Sequence, residues 1–459
     1  MERENAWESY SEEQLKELKE LCEEYKTFLD EGKTERECVT WSVKYAKEHG
    51  FKNLEDCIKK GKKLKAGDKV YAVCMKKSVV MFVIGKKDIE NGMNILGAHI
   101  DSPRLDIKQN PLYEDTDFAY LDTHYYGGIK KYQWVTIPLA IHGVVVKKDG
   151  SVIDVVIGEG EQEPVVFISD LLIHLAAGQL EKKASKVIEG EELNVIIGSC
   201  PLKDAEKNKV KANVLRLIQE KYGMEEEDFL SAELEVVPAG KAKDAGLDAS
   251  MILAYGQDDR VCAYTSLKAF MDVKKVDRTA CLILADKEEI GSVGATGMRS
   301  QFFENTVAEL INLLGDYSEI KLKRTLANSF MLSSDVSAAY DPNFSSVFEK
   351  KNASYFGRGI VINKFTGSRG KSGSNDANAE YIAKLRKIFD DADVKFQTAE
   401  LGKVDEGGGG TIAYILALYG MNVIDSGVAV LNMHAPHEAV SKADVYEAMK
   451  GYKAFLKNA

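Results

Sequence analysis

The chain has 459 residues, 45% of them hydrophobic, and a formal net charge of −11. That length exceeds what one hydrophobic core usually serves, so two domains are expected, and the acidic balance without any long basic run excludes a nucleic-acid partner. No apolar run reaches membrane-spanning length, the first residues show no secretory or transit pattern, and seven cysteines lie scattered without a CxxC pair, so a cytoplasmic protein with reduced thiols is expected.

In chain order, Ser11 and Gln14 form a capping box for a helix on which Leu15, Leu18, Leu21, Tyr25, Phe28 and Leu29 recur at helical spacing. Thr34 and Glu37 box a second helix that ends at Gly50. Strands follow near 71–75 and 79–84, then the apolar Ile95-Leu96 leads into His99. Between 105 and 247 the character changes: alternation at 137–146 and 152–157 flanks Asp149-Gly150, a hairpin signal, and helical stretches are expected near 169–177 and 225–230. We read 105–247 as an inserted β-rich domain with a dimerisation or lid role, dividing a catalytic domain made of 1–104 and 248–459. After Ala254 apolar strands alternate with helices, as in an α/β fold with a mostly parallel central sheet flanked by helices. Asp258 is expected to open a helix carrying Val261, Tyr264, Leu267 and Phe270, where the helix dipole favours a carboxylate by about 0.3–1 kcal/mol. The tract Gly407-Gly408-Gly409-Gly410 lacks the lysine of a P-loop, which argues against nucleotide binding and for close backbone approach.

Potential metal ligands recur just beyond apolar runs. His99-Ile100-Asp101, Asp258-Asp259, Glu288-Glu289, Asp335 and His434 all occupy such places, where α/β sheets hold their ligands. Imidazole mixed with carboxylate suits zinc, and also cobalt or manganese. Five ligand residues exceed the needs of one open tetrahedral zinc and suffice for two ions if one carboxylate bridges. Glu288 is then left over as a general base able to take a proton from the attacking water. Asp101, two positions after His99 in extended chain, points to the same face and can orient the imidazole by accepting its second ring N–H.

Gly97-Ala98-His99-Ile100-Asp101-Ser102-Pro103-Arg104, Asp258-Asp259, Glu288-Glu289-Ile290-Gly291-Ser292, Ser334-Asp335-Val336 and Asn432-Met433-His434-Ala435-Pro436 together resemble the successive motifs of the aspartyl aminopeptidase and vacuolar aminopeptidase I family. The resemblance runs from about Ile95 to His437. It implies a zinc exopeptidase-like fold and an aminopeptidase with two zinc ions per subunit acting on peptides. His99 and Asp335 would hold one ion, Glu289 and His434 the other, with Asp258 as the bridge, Glu288 as base and Asp101 as orienting carboxylate. It also implies that His174 helps bind substrate, often across a subunit boundary, and that the chains assemble as a tetrahedral homododecamer. This chain departs from aspartyl aminopeptidases at Ile362-Asn363-Lys364, where the lysine comes one place late, so a neutral or mixed N-terminal preference is expected. A related dizinc deacylase or carboxypeptidase would need a carboxylate-gripping arginine that no motif supplies. A silent scaffold of the same fold is disfavoured by the complete ligand set with its base.

Overall fold

The computed structural model describes residues 3–459 and divides the chain into two units. The first comprises residues up to Asp101, Ala242–Met433 and Glu438–Ala459; the second comprises Ser102–Lys241 and His434–His437. Beside the expected insert of 105–247, the second unit begins and ends a few residues earlier and takes in the short segment around His434.

In the first unit the capping boxes at Ser11 and Thr34 both form, opening helices Glu12–Glu31 and Glu35–Glu48. A nine-stranded sheet runs in the order Lys52–Asn53, Lys69–Cys74, Ser78–Val83, Thr279–Ala285, Met93–His99, Phe330–Ser333, Asn422–Gly427, Ile360–Asn363 and Phe396–Thr398. Its four central members are mutually parallel. Their continuous apolar runs follow from burial on both faces, because successive side chains point to opposite sides. Leu96, Ala98, Leu282 and Leu284 enter one core with the helices Glu12–Glu31, Gln257–Met271 and Lys442–Asn458. Met93, Ile95, Cys281 and Ile283 enter the other with Phe302–Leu314 and Glu319–Ala327. A five-stranded sheet, Lys243–Ala245, Met251–Ala254, Glu438–Ser441, Ala429–Leu431 and Ser337–Ala338, completes this unit.

The second unit is built on a six-stranded antiparallel sheet ordered Val152–Ile157, Leu139–Val146, Ala232–Pro238, Arg104–Asp115, Phe118–Tyr126 and Val195–Gly198. The hairpin at Asp149-Gly150 forms, with Gly150 in the left-handed region the turn requires. Its longest helix is Lys209–Tyr222, which buries Val210 and Val214. The expected helical stretch at 169–177 is instead a 3-10 turn, Ile173–Leu175, before a one-turn helix Ala177–Leu180. Leu171 to Ile173 are apolar at consecutive positions, so no single helical face gathers them.

Candidate metal centre

Three parallel strand ends deliver the site, all within the first unit. Met93–His99 lies between Thr279–Ala285 and Phe330–Ser333, with His99 opposite Ala285 and Gly97 opposite Ser333. The residues at or just past these ends therefore become neighbours: His99 closing one strand with Asp101 beyond it, Glu288 and Glu289 beyond the second, Asp335 beyond the third. The strand Asn422–Gly427 passes so close to Asp335 that a Cβ on Gly427 would lie 1.7 Å from the Asp335 carbonyl oxygen. Only glycine admits that approach.

His99 is 2% exposed. Its Nε2 faces Asp258 Oδ1 at 3.1 Å and Asp335 Oδ1 at 3.8 Å. Its Nδ1 lies 3.0 Å from the Asp101 carbonyl oxygen and 3.4 Å from Asp101 Oδ1. The expected orienting contact thus differs in one respect, since the closer acceptor is the backbone of Asp101. The Asp101 carboxylate also takes two backbone donors: Oδ1 accepts the Glu288 N–H and Oδ2 the Glu289 N–H, each at 3.1 Å. Lys287 makes this possible, because its left-handed backbone (φ 68°) turns two successive amides toward one side, where a carboxylate matches them with two oxygens.

Asp258 also differs from expectation. It and Asp259 depart from helical dihedrals within Gln257–Met271, their peptide bond is cis, and the regular helix begins after them. The Asp258 N–H donates to Glu438 Oε2 at 3.0 Å, which fixes the residue beside His99. Asp259 is fully buried.

Three overlapping sets of possible ligands result: His99, Asp258 and Glu289; His99, Glu288 and Asp335; and Asp258, Asp259 and Asp335. Within each set the ligand atoms lie within 4.8 Å of one another. One imidazole and five carboxylates crowded at low dielectric repel strongly unless a cation joins them, and this mixture of nitrogen and oxygen donors fits zinc. The electrostatics agree. Burial pushes the Glu288 carboxyl up to about 8, with the His99 charge opposing and the Asp335 and Asp101 charges adding. Burial likewise raises Asp335, against the lowering effect of His99. Burial alone would lower the imidazole of His99, but hydrogen bonds to Asp101, Asp258 and Asp335 outweigh it and hold the ring well above its usual range.

The two remaining sequence candidates belong to the second unit. His434 sits in a turn with left-handed backbone, and its Nδ1 lies 2.9 Å from the Gly128 carbonyl oxygen. It is in none of the three ligand sets. His174 is exposed in the 3-10 turn, flanked by Leu171, Leu172, Ile173 and Leu175, which are 45–67% exposed. Several polar residues around the centre had drawn no role from sequence. Asp286 and Thr296 hydrogen-bond to each other within the loop that carries Glu288. Asp425 is buried, accepts from Thr411 Oγ1 at 2.6 Å, and is pushed up to about 7, by burial first. Asp286 belongs to the acidic run itself, a signal that was available; Asp425 lies inside an apolar strand and gave none.

Comparison with known proteins bears on this chemistry. The family model described as aminopeptidase I zinc metalloprotease (M18) matches residues 28–456. A protein of Clostridium acetobutylicum described as probable M18 family aminopeptidase 1 is 64% identical over 458 residues, spanning 100% of this chain and 98% of that one. The crystal structure of an M18-family aminopeptidase from Thermotoga maritima superposes with a TM-score of 0.95 at 44% identity, covering 100% of both chains. That of aminopeptidase I from Clostridium acetobutylicum gives a TM-score of 0.93 at 62% identity, again covering 100% of both.

Proposed function

Because the chain belongs to the M18 family of aminopeptidase I zinc metalloproteases, we propose that it removes N-terminal residues from peptides at a centre holding two zinc ions, with Glu288 as general base. Zinc aminopeptidase activity, a hydrolysis of peptide bonds, is the activity of its family. The observation that carries the finer reading is the convergence of His99, Glu288, Glu289 and Asp335 at adjacent strand ends with Asp258 at the start of Gln257–Met271. His99 and Asp335 would hold one ion, Glu289 and His434 the other, and Asp258 would bridge. The engagement of His99 Nδ1 by the Asp101 carbonyl supports Nε2 as its coordinating nitrogen, and the Gly128 carbonyl at His434 Nδ1 supports the same for that ring. Cobalt or manganese would suit the same donors.

When bound, zinc supplies Lewis acidity toward the scissile carbonyl and lowers the pKa of a coordinated water. Glu288, partly buried beside the ligand carboxylates, takes the proton of the attacking water as an ionised carboxylate, the form that neighbouring cations favour, and returns it to the leaving amine. Asp101 fixes where that carboxylate stands by gripping the Glu288 amide. The dense negative field favours a free α-ammonium on the substrate, and Asn363, in place of a lysine, argues for a neutral or mixed N-terminal preference.

The exposed apolar run around His174 supports self-association through the second unit, with His174 serving a neighbour's substrate site. We take the assembly to be the tetrahedral homododecamer that the motif resemblance implies. The dimerisation or lid role assigned to the insert belongs to the same reading. Cytoplasmic residence is part of the proposal, supported by cysteines that are all unpaired. Among the described residues no helix is long and apolar enough to cross a membrane.

The test is turnover of a panel of free and N-acetylated aminoacyl chromogenic substrates by zinc-loaded protein, with the metal counted in the same sample. Hydrolysis of the free substrates only, neutral ones included, with two zinc ions per chain is expected. Equal cleavage of blocked substrates would point to a deacylase, and a strict preference for Asp and Glu would refute the specificity reading.

A further inference from the structure

We propose that Ser78, Asp286 and Thr296 form a positioning clamp that sets Glu288 for proton transfer, an inference that rests on Glu288 being the general base. Asp286 directly follows Thr279–Ala285 and is buried, and its N–H donates to Ser78 Oγ at 3.2 Å. The Ser78 hydroxyl donates in turn to the Thr296 carbonyl oxygen at 2.5 Å, and the Thr296 hydroxyl donates back to Asp286 Oδ2. Asp286 also forms a parallel bridge with Gly297. These contacts close a ring across the neck of the segment from Lys287 to Ala295, which carries both Glu288 and Glu289.

The segment needs an external frame. Lys287, Gly291, Ser292 and Gly294 all have left-handed backbone, and a glycine-spaced run of this kind has many alternatives of similar energy. Two anchors select one of them. Asp101 holds the Glu288 and Glu289 amides, and the ring of Ser78, Asp286 and Thr296 fixes the points where the segment leaves and rejoins the sheet. Ser78 is itself placed rigidly, because it opens Ser78–Val83, which pairs antiparallel with Thr279–Ala285, and its neighbour Lys77 is tied to buried Glu35 at 3.1 Å. None of the three clamp residues is in a ligand set. Their action on the reaction runs through the segment, and misplacing a catalytic group by about an ångström costs on the order of 10²-fold in rate.

The experiment compares Thr296→Val, which keeps the shape and deletes the hydroxyl, with Thr296→Ser, which keeps the hydroxyl, in zinc-loaded full-length protein. Thr296→Val is expected to lower kcat about tenfold or more with KM and zinc content unchanged, Thr296→Ser to restore turnover, and Thr296→Val to add no further loss in a Glu288→Gln background. Wild-type kcat in Thr296→Val, loss of zinc in that variant, or a loss that multiplies with Glu288→Gln overturns the clamp. Should Thr296→Val fail to fold, Ser78→Ala is read by the same criteria. Full turnover by Glu288→Gln alone overturns the base assignment and this inference with it, whereas an inactive Glu288→Gln beside a normal Thr296→Val overturns the clamp only.

Discussion

Replacing Asp101 by Asn keeps the side-chain shape and removes one of its two acceptor oxygens. Asp101 is fully buried and accepts the Glu288 and Glu289 amides at 3.1 Å each. Hydrogen bonds to a charged group are worth about 1.5–3 kcal/mol, and a buried donor left without a partner costs about 1–3 kcal/mol. In the Asp101→Asn variant the new side-chain NH₂ would face one of those amides, so roughly 3 kcal/mol is at stake if the segment stays in place. If the segment moves instead, Glu288 and Glu289 shift with it and the loss appears in rate, on the order of 10²-fold for a displacement of about an ångström. Either the thermal midpoint falls by several degrees or kcat falls steeply, and a division between the two is the expected result. Steady-state kinetics with thermal unfolding on zinc-loaded Asp101→Asn measures both. Wild-type midpoint together with wild-type kcat would refute the claim that this carboxylate holds the catalytic turn.

The remaining predictions concern pH and assembly. Glu288 is held at about 8 in the folded protein against an ordinary 4.5, so folded metal-free protein keeps a proton that unfolded chain releases, and stability falls as pH rises from about 4.5 to about 8. Asp425, raised to about 7, acts in the same direction. Chelator-stripped protein should therefore melt lower at pH 8 than at pH 5, with a shallower slope in Glu288→Gln; a rising or flat profile in stripped wild type would contradict the buried, repelling carboxylates. His174→Ala should keep its zinc and its assembly while losing most turnover, checked by light scattering, metal analysis and kinetics; full activity would remove His174 from the substrate site.

Much of the candidate site was legible because most of its candidate ligands sit at the ends of strands buried on both faces, where an apolar run stopping at an acidic or histidine residue is a local pattern. His99, Glu288, Glu289 and Asp335 could be read that way, whereas Asp258 was marked by the helical spacing that follows it. The destination of the Asp101 carboxylate could not, since it depends on the left-handed turn at Lys287, far along the chain. The ring joining Ser78 to Asp286 and Thr296 was hidden for the same reason: hydrogen bonds spanning more than 200 residues leave no periodic trace. In the second unit Asp149-Gly150 marks the hairpin, whereas the helix Lys209–Tyr222 buries only Val210 and Val214, a single i, i+4 pair that makes a weak periodic signal. The residues around His174 misled because consecutive apolar side chains suit an exposed association surface as readily as a helix.

The most direct measurement is the rate of aminoacyl hydrolysis by Glu288→Gln with its zinc counted in the same sample. Two ions per chain with a loss of about 10²–10⁴-fold in kcat is the expected result, and wild-type turnover in the fully metal-loaded variant would contradict the role given to Glu288.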